Sequence, residues 1–279
     1  MAVKGIQIAG AIIGVALLAG CGSAKTNAEK ELAYTGVWQA QPLVIDGNDN
    51  DWAKPLPYSD KDVAYRISND SDYLYIQLSA KQGLTQQKIL QAGLTVWINN
   101  AAEKSEKNAA GIACPTGNNR SGRSTTIATN SAGGRAMAQD NIKDYMLFGF
   151  SDEGVDNYNY GDSNRAGVEV KLDFNEAGEL IYEAAVPLRS LYPKTTLHRY
   201  AGRNLAVGIF IEALPSQNGG NNGGGGVSIG GGLGMGSYGS GGGVGLSIGT
   251  GAFGLGGGGK KYKPTKLWQV VPIARAPRK

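Results

Sequence analysis

Two hairpin signatures restrict this chain to an antiparallel β architecture more firmly than anything else in it. Residues Val168–Phe174 alternate strictly, with Val168, Val170, Leu172 and Phe174 on one side and Glu169, Lys171 and Asp173 on the other. Asn175-Glu176-Ala177-Gly178 then turns the chain into the apolar run Glu179–Val186. Successive side chains of a strand lie on opposite faces, and Asn and Gly at the join are turn formers. The same pattern recurs in Asp62–Ser68 and Tyr73–Ala80, which flank Asn69-Asp70-Ser71-Asp72. There Leu74, Ile76, Leu78 and Ala80 are expected to point inward, and Tyr73, Tyr75, Gln77 and Ser79 away. Leu94–Ile98, Ala110–Cys114, Asp144–Phe150, Leu205–Leu214 and Lys266–Ile273 read as further strands, and Thr85–Gln91 and Pro187–Tyr192 as short helical turns. Many short strands without a βα rhythm predict an all-β, antiparallel β-sandwich of jelly-roll-like type with a long Gly-rich loop.

The organisation around that domain is legible from composition. A single lysine, Lys4, precedes an uncharged apolar stretch from Ile6 to Gly20, too short to cross a bilayer as a helix and suited to a signal-peptide core. It ends in Leu18-Ala19-Gly20-Cys21, which resembles the bacterial lipobox. Small residues let the scissile bond enter a peptidase, and the Cys21 sulfur is the nucleophile that accepts lipid. The expectation is therefore a signal peptide over 1–20, a lipid anchor and tether over 21–41, and the sandwich over 42–274. The tether is small, polar and charged, and no aspartate follows Cys21, which points to the outer membrane of a bacterial envelope. Residues 219–259 hold more than half of the chain's 44 glycines and read as a mobile loop inserted before the last strand. An adhesive or partner-binding role for that loop is the sharper alternative.

With 27 basic and 23 acidic residues interspersed, the charge of +4 gives no long-range attraction to nucleic acid, which is excluded as a partner. The two cysteines are Cys21 and Cys114, so once Cys21 carries lipid no disulfide framework exists. Cys114 then reads as a small buried apolar residue, with a reactive thiol as the alternative. His198 is the one histidine, which rules out a histidine zinc cluster and makes enzyme activity an unfavoured reading.

The opening of the domain, Pro42 to Trp52, reads as a short strand (Leu43, Val44, Ile45), a polar turn and a closing tryptophan. Asp46, Asn48, Asp49 and Asp51 offer the hard oxygen ligands that Ca2+ prefers. The spacing is not that of an EF-hand, because Asp51 stands where its glycine belongs and Pro57 where its glutamate belongs. The alternative is a corner capped by its own Asp and Asn side chains, with Trp52 as a core plug. A ligand surface is expected at Asn157, Tyr158, Asn159 and Tyr160, within Asp156–Asp162. Sugar recognition needs flat apolar faces for ring C–H groups beside planar polar groups for hydroxyls, and tyrosines interleaved with amides supply both. The plainer alternative is a polar loop whose tyrosines cover the sandwich rim. Trp38 and Trp268 suit either core or platform.

Five stretches, in order, resemble one family. VIDGNDNDW, AYRISNDSDYLYIQLSA, GLTVWINN, GELIYEAAVPL and KLWQVVPIA are similar to successive strands of family 9 carbohydrate-binding-module-like domains, from about residue 42 to 274. Glu183 in IYEAAVP fits that family's strand pattern. More narrowly, the chain resembles lipoproteins of Bacteroidetes-type bacteria carrying this DOMON-like sandwich. The resemblance implies a non-catalytic, lipid-anchored envelope protein that binds carbohydrate or glycan. The alternative is a structural or partner-binding lipoprotein on the same fold.

Overall fold

The computed structural model describes residues 36–60, 62–116, 129, 131–139, 142–150, 155–192, 200–214 and 263–277. Cys21, the expected signal peptide, the expected tether before residue 36, the Gly-rich stretch 219–259 and His198 lie outside them.

Among the described residues, eleven strands form two antiparallel sheets. The first sheet holds β1 (Tyr58–Asp60), β2 (Val63–Asn69), β3 (Tyr73–Ala80), β8 (Glu169–Phe174) and β9 (Leu180–Pro187), in the order β1-β2-β3-β9-β8. The second holds β4 (Leu94–Asn99), β5 (Ala110–Cys114), β6 (Asp144–Phe148), β7 (Asp156–Asn159), β10 (Asn204–Ile211) and β11 (Thr265–Pro272), in the order β11-β10-β4-β5-β6-β7. Three helices accompany them: α1 (Gly83–Ala92), α2 (Ala132–Gln139) and α3 (Leu188–Leu191). Leu74, Ile76 and Leu78 of one sheet meet Val96, Ile112, Leu147 and Ile209 of the other in a single buried core. The protein is an all-β antiparallel sandwich. Both expected hairpins form, with Val63 opposite Ala80 and Phe174 opposite Leu180.

The first sheet departs from expectation on its outer face. Tyr75, Gln77 and Ser79 do point away from the core, yet they are as buried as the residues that face it. All eight residues of β9 are buried. The cause is the opening segment. Residues 43–45 form no strand and instead lie across this face, where Leu43 and Trp52 pack on Tyr75 and Ala185. Trp52 is thus a plug, but of the outer layer and not of the central core.

The outer face of the second sheet carries its own aromatic layer. One row across the strands runs Trp268, Gly208, Trp97, Gly111, Phe148, so that each ring has glycine beside it. A Cβ on Gly111 would stand 2.0 Å from Phe148 Cε2, and one on Gly208 would stand 2.9 Å from the Trp268 ring. The rings lie over bare backbone there. Phe148 meets Trp97 edge-on at 5.0 Å, and Phe210 meets Trp268 edge-on at 5.5 Å.

The ends of the sandwich are joined at Asn69. Its backbone N–H donates to Val37 O (3.0 Å) and its carbonyl accepts from Gln39 N–H (2.7 Å), a parallel bridge centred on Trp38. Its side-chain amide donates to Ala274 O (3.2 Å), and its Oδ1 accepts from Ala274 N–H (2.7 Å).

Candidate functional site

The edge strands β7 and β8 lie on the same open side of the sandwich, one from each sheet, and α2 packs beside β8. Between them is a cleft of about 440 Å³, within the usual range for small-ligand sites, lined by Gln139, Lys143, Asn159, Tyr160, Lys171 and Asp173 over Ile142 and Leu172. Alternation on β8 turns Lys171 and Asp173 out of the core, while Leu172 closes the floor from within. Gln139 donates to Asp173 Oδ1, Lys171 Nζ lies 3.9 Å from Asp173 Oδ2, and the same ammonium sits 5.4 Å from the centre of the Tyr160 ring.

Of the four residues singled out as a ligand surface, two line this cleft and two do not. Asn159 and Tyr160 belong to it; Asn157 and Tyr158 do not. Asn157 is exposed on the outer face of β7, opposite Met146. The tyrosines turn inward. Tyr158 packs on Tyr145 at 5.7 Å, and Tyr160 stacks on it at 6.0 Å with the rings 9° from parallel. The Tyr160 hydroxyl is buried without a partner, and burial, reinforced by the neighbouring Cys114 and Asp144, holds its pKa well above the phenol range. These rings close the rim of the core, and Tyr160 offers the cleft its ring and not its hydroxyl. Asn159 is held in place by Asp162, whose carboxylate accepts from both its backbone and its side-chain N–H (2.9 and 3.0 Å).

The corner at Asp46–Asp51 spends its oxygens locally. Asp46 accepts from Asn48 N–H (2.8 Å) and Asn48 from Asn50 N–H (3.2 Å), the pattern of Asx turns, while Asp51 reaches back to accept from Val44 N–H (2.9 Å) and closes the loop. Asp49 is buried and pairs with Lys54 at 2.9 Å. Among the described residues no three carboxylate, histidine or cysteine side chains gather around one point. The donor set does not fit Ca2+ here, because Asp46 and Asn48 cap their own turns, Asp51 closes on Val44 and Asp49 pairs with Lys54.

Sequence reasoning missed that this corner touches the cleft. Gly47, at φ 86, approaches β8 so closely that a Cβ would stand 2.6 Å from Asp173 Cβ and 3.1 Å from Lys171 Cγ. Its N–H donates to Glu183 Oε2 at 2.8 Å. A lone carboxylate inside the apolar strand LIYEAAVP was the available signal for Glu183. Cys114 is fully buried, and burial with the nearby Asp144 raises its thiol pKa, so it is inert where it stands. Trp38 and Trp268 are each half-buried, one in the Asn69 bridge and the other in the outer aromatic layer.

No family model matches this chain, and no curated protein matches it. Solved structures similar to it include a family 9 carbohydrate-binding module from Caldicellulosiruptor kristjanssonii in complex with glucose, 9% identical, covering 65% of this chain and 78% of that one at a TM-score of 0.33. The same module in complex with cellotriose is 8% identical, covering 64% of this chain and 75% of that one at a TM-score of 0.30. The sandwich assignment rests on the two sheets themselves.

Proposed function

We propose that this chain is a lipid-anchored, non-catalytic protein of a bacterial envelope, held at the outer membrane through Cys21, that binds carbohydrate or a related envelope glycan in the β7–β8 cleft. The observation that carries the reading is convergence. Gln139 from α2, Asn159 from β7, and Lys171 and Asp173 from β8 bring an amide pair, an ammonium and a carboxylate around the Tyr160 ring in one solvent-open cleft. Planar donors and acceptors of this kind match sugar hydroxyls, and side chains already held by neighbouring side chains lose little freedom on binding. The lining supplies a single carboxylate, Asp173, whereas glycoside hydrolysis uses a pair, which supports binding without turnover.

The test is a glycan array and calorimetry on the full chain against Asn159→Ala/Lys171→Ala. Binding that is lost in the double variant supports the reading, and failure to bind any envelope glycan overturns it. One observation favours a second reading, a partner-binding lipoprotein without sugar recognition. The Tyr160 ring already stacks on Tyr145 and carries Lys171, which narrows the flat surface left for a sugar ring. Crosslinking that recovers one envelope protein, with no glycan binding, would favour it.

A further inference from the structure

Beneath residues 42–53 the outer face of the first sheet holds a polar row: Arg66 on β2, Gln77 on β3, Glu183 on β9 and Lys171 on β8, each opposite the next. Gln77 and Glu183 are fully buried. Glu183 Oε2 accepts from Gly47 N–H, but its Oε1 and both polar atoms of Gln77 are buried without partners. The buried Trp52 indole N–H favours the ionised carboxyl, an effect smaller than the burial that opposes it. A buried carboxyl with one oxygen unpaired is stable as the neutral acid and costly as the anion.

The surrounding charges favour the neutral form as well. Asp46 and Asp51, on the segment that covers Glu183, add their negative charge to its burial. The cations of the row are committed elsewhere: the Arg66 guanidinium donates to Pro55 O at 3.0 Å, and Lys171 is paired with Asp173. Lys54, on the covering segment, is paired with Asp49. Gln77 is neutral in any state.

We propose that residues 42–53 are a proton-operated strap, shut on the first sheet while Glu183 is protonated and released from it when the carboxyl ionises. The Gly47 hydrogen bond holds the strap to β9 and itself favours the anion, but the cost of burying that anion outweighs it, and Asp51 and Asp46 on the same strap add repulsion. Burial pushes the Glu183 carboxyl up to about 8 with the strap shut, so closure weakens as pH rises from the ordinary 4.5 toward that value. Release uncovers Trp52 and Tyr75 and withdraws Gly47 from Lys171 and Asp173, two walls of the cleft. The strap operates whether or not the cleft takes a glycan.

Hydrogen exchange on the full chain, corrected for the intrinsic pH dependence of amide exchange, tests this. Protection of the Gly47–Trp52 amides should fall about tenfold per pH unit between 4.5 and about 8 and level off above, because Glu183 holds its proton more tightly with the strap shut. Protection of β3 and β9 should change far less over the same interval. Glu183→Gln, which keeps shape and cannot ionise, should leave the strap protected throughout. A flat profile in the native chain, or an equal fall in Glu183→Gln, overturns the proposal. Should Glu183→Gln not fold, Asp46→Asn/Asp51→Asn keeps the turn acceptors and removes the facing charges. Its protection must level off at lower pH with a smaller total loss, and an unchanged profile overturns the proposal equally.

Discussion

Replacing Gly111 with alanine is the sharpest test of the outer aromatic layer. The added methyl would stand 2.0 Å from Phe148 Cε2 and 2.1 Å from Cζ, well inside contact distance. Phe148 is 2% exposed and meets Trp97 edge-on at 5.0 Å, so its ring cannot swing away without breaking that contact. Overpacking of this kind costs about 1–3 kcal/mol, and loss of an aromatic edge contact adds about 0.5–1.5 kcal/mol. Alanine recovers about 0.5–1 kcal/mol of backbone entropy relative to glycine. The net expectation is a destabilisation of about 2–3 kcal/mol, read as a lowered urea midpoint by circular dichroism. Gly133→Ala, where nothing lies within 4 Å of the new methyl, is the control and should stabilise α2 slightly. On a Phe148→Ala background the Gly111→Ala cost should vanish, a coupling that a double-mutant cycle measures. A cost within about 0.5 kcal/mol of zero in the native background, or an undiminished cost without Phe148, would show that the rings do not rest on Gly111.

Two further expectations concern titrating groups. The Glu183 carboxyl binds its proton more tightly folded than unfolded, so the folded state holds more protons between 4.5 and about 8, and stability must fall as pH rises through that window. At 1.36 kcal/mol per pH unit the loss is at most about 5 kcal/mol. Urea midpoints across pH should show the decline, Glu183→Gln should flatten it, and stability that rises instead would contradict the buried neutral acid. For Cys114, burial and the raised thiol pKa predict no labelling by a thiol reagent at pH 8 until denaturant is added. Rapid labelling of the native chain would refute that placement.

The parts of the fold that were legible are those in which one physical signal dominates. β3 and β8 alternate cleanly and are joined to their partners by Asn- and Gly-containing turns, so their pairing could be read directly. β7 could not be read in this way. Its sequence, DNYN, has the composition of a turn, and only pairing with β6 draws it into an edge strand. α2 was hidden inside a long loop because AGGRAMAQ contains two glycines, poor helix formers. The three residues Leu43, Val44 and Ile45 are apolar for a different reason than strand pairing, since Leu43 and Ile45 cover a sheet face while Val44 is left exposed. For the cleft, the segment was legible but not the orientation. Alternation along Asp156–Tyr160 sends Tyr158 and Tyr160 inward together, and Lys171 and Asp173 become neighbours of Asn159 only through the stacking of two sheets.

The junction at Asn69 has a mechanical meaning. Tension applied from the N-terminal side of Gly36 reaches the domain through a short parallel bridge whose hydrogen bonds lie across the direction of pull. Such bonds share the load, whereas the bonds of a peeled hairpin break one at a time. Gly36 is also wedged against Pro272 O and Ala274 N, so tugging on this end presses on the last strand. Asn69 therefore spreads a force applied on the N-terminal side of Gly36 into both sheets at once. A chain tethered there would hold its sandwich shut under drag and hand the strain first to the tether.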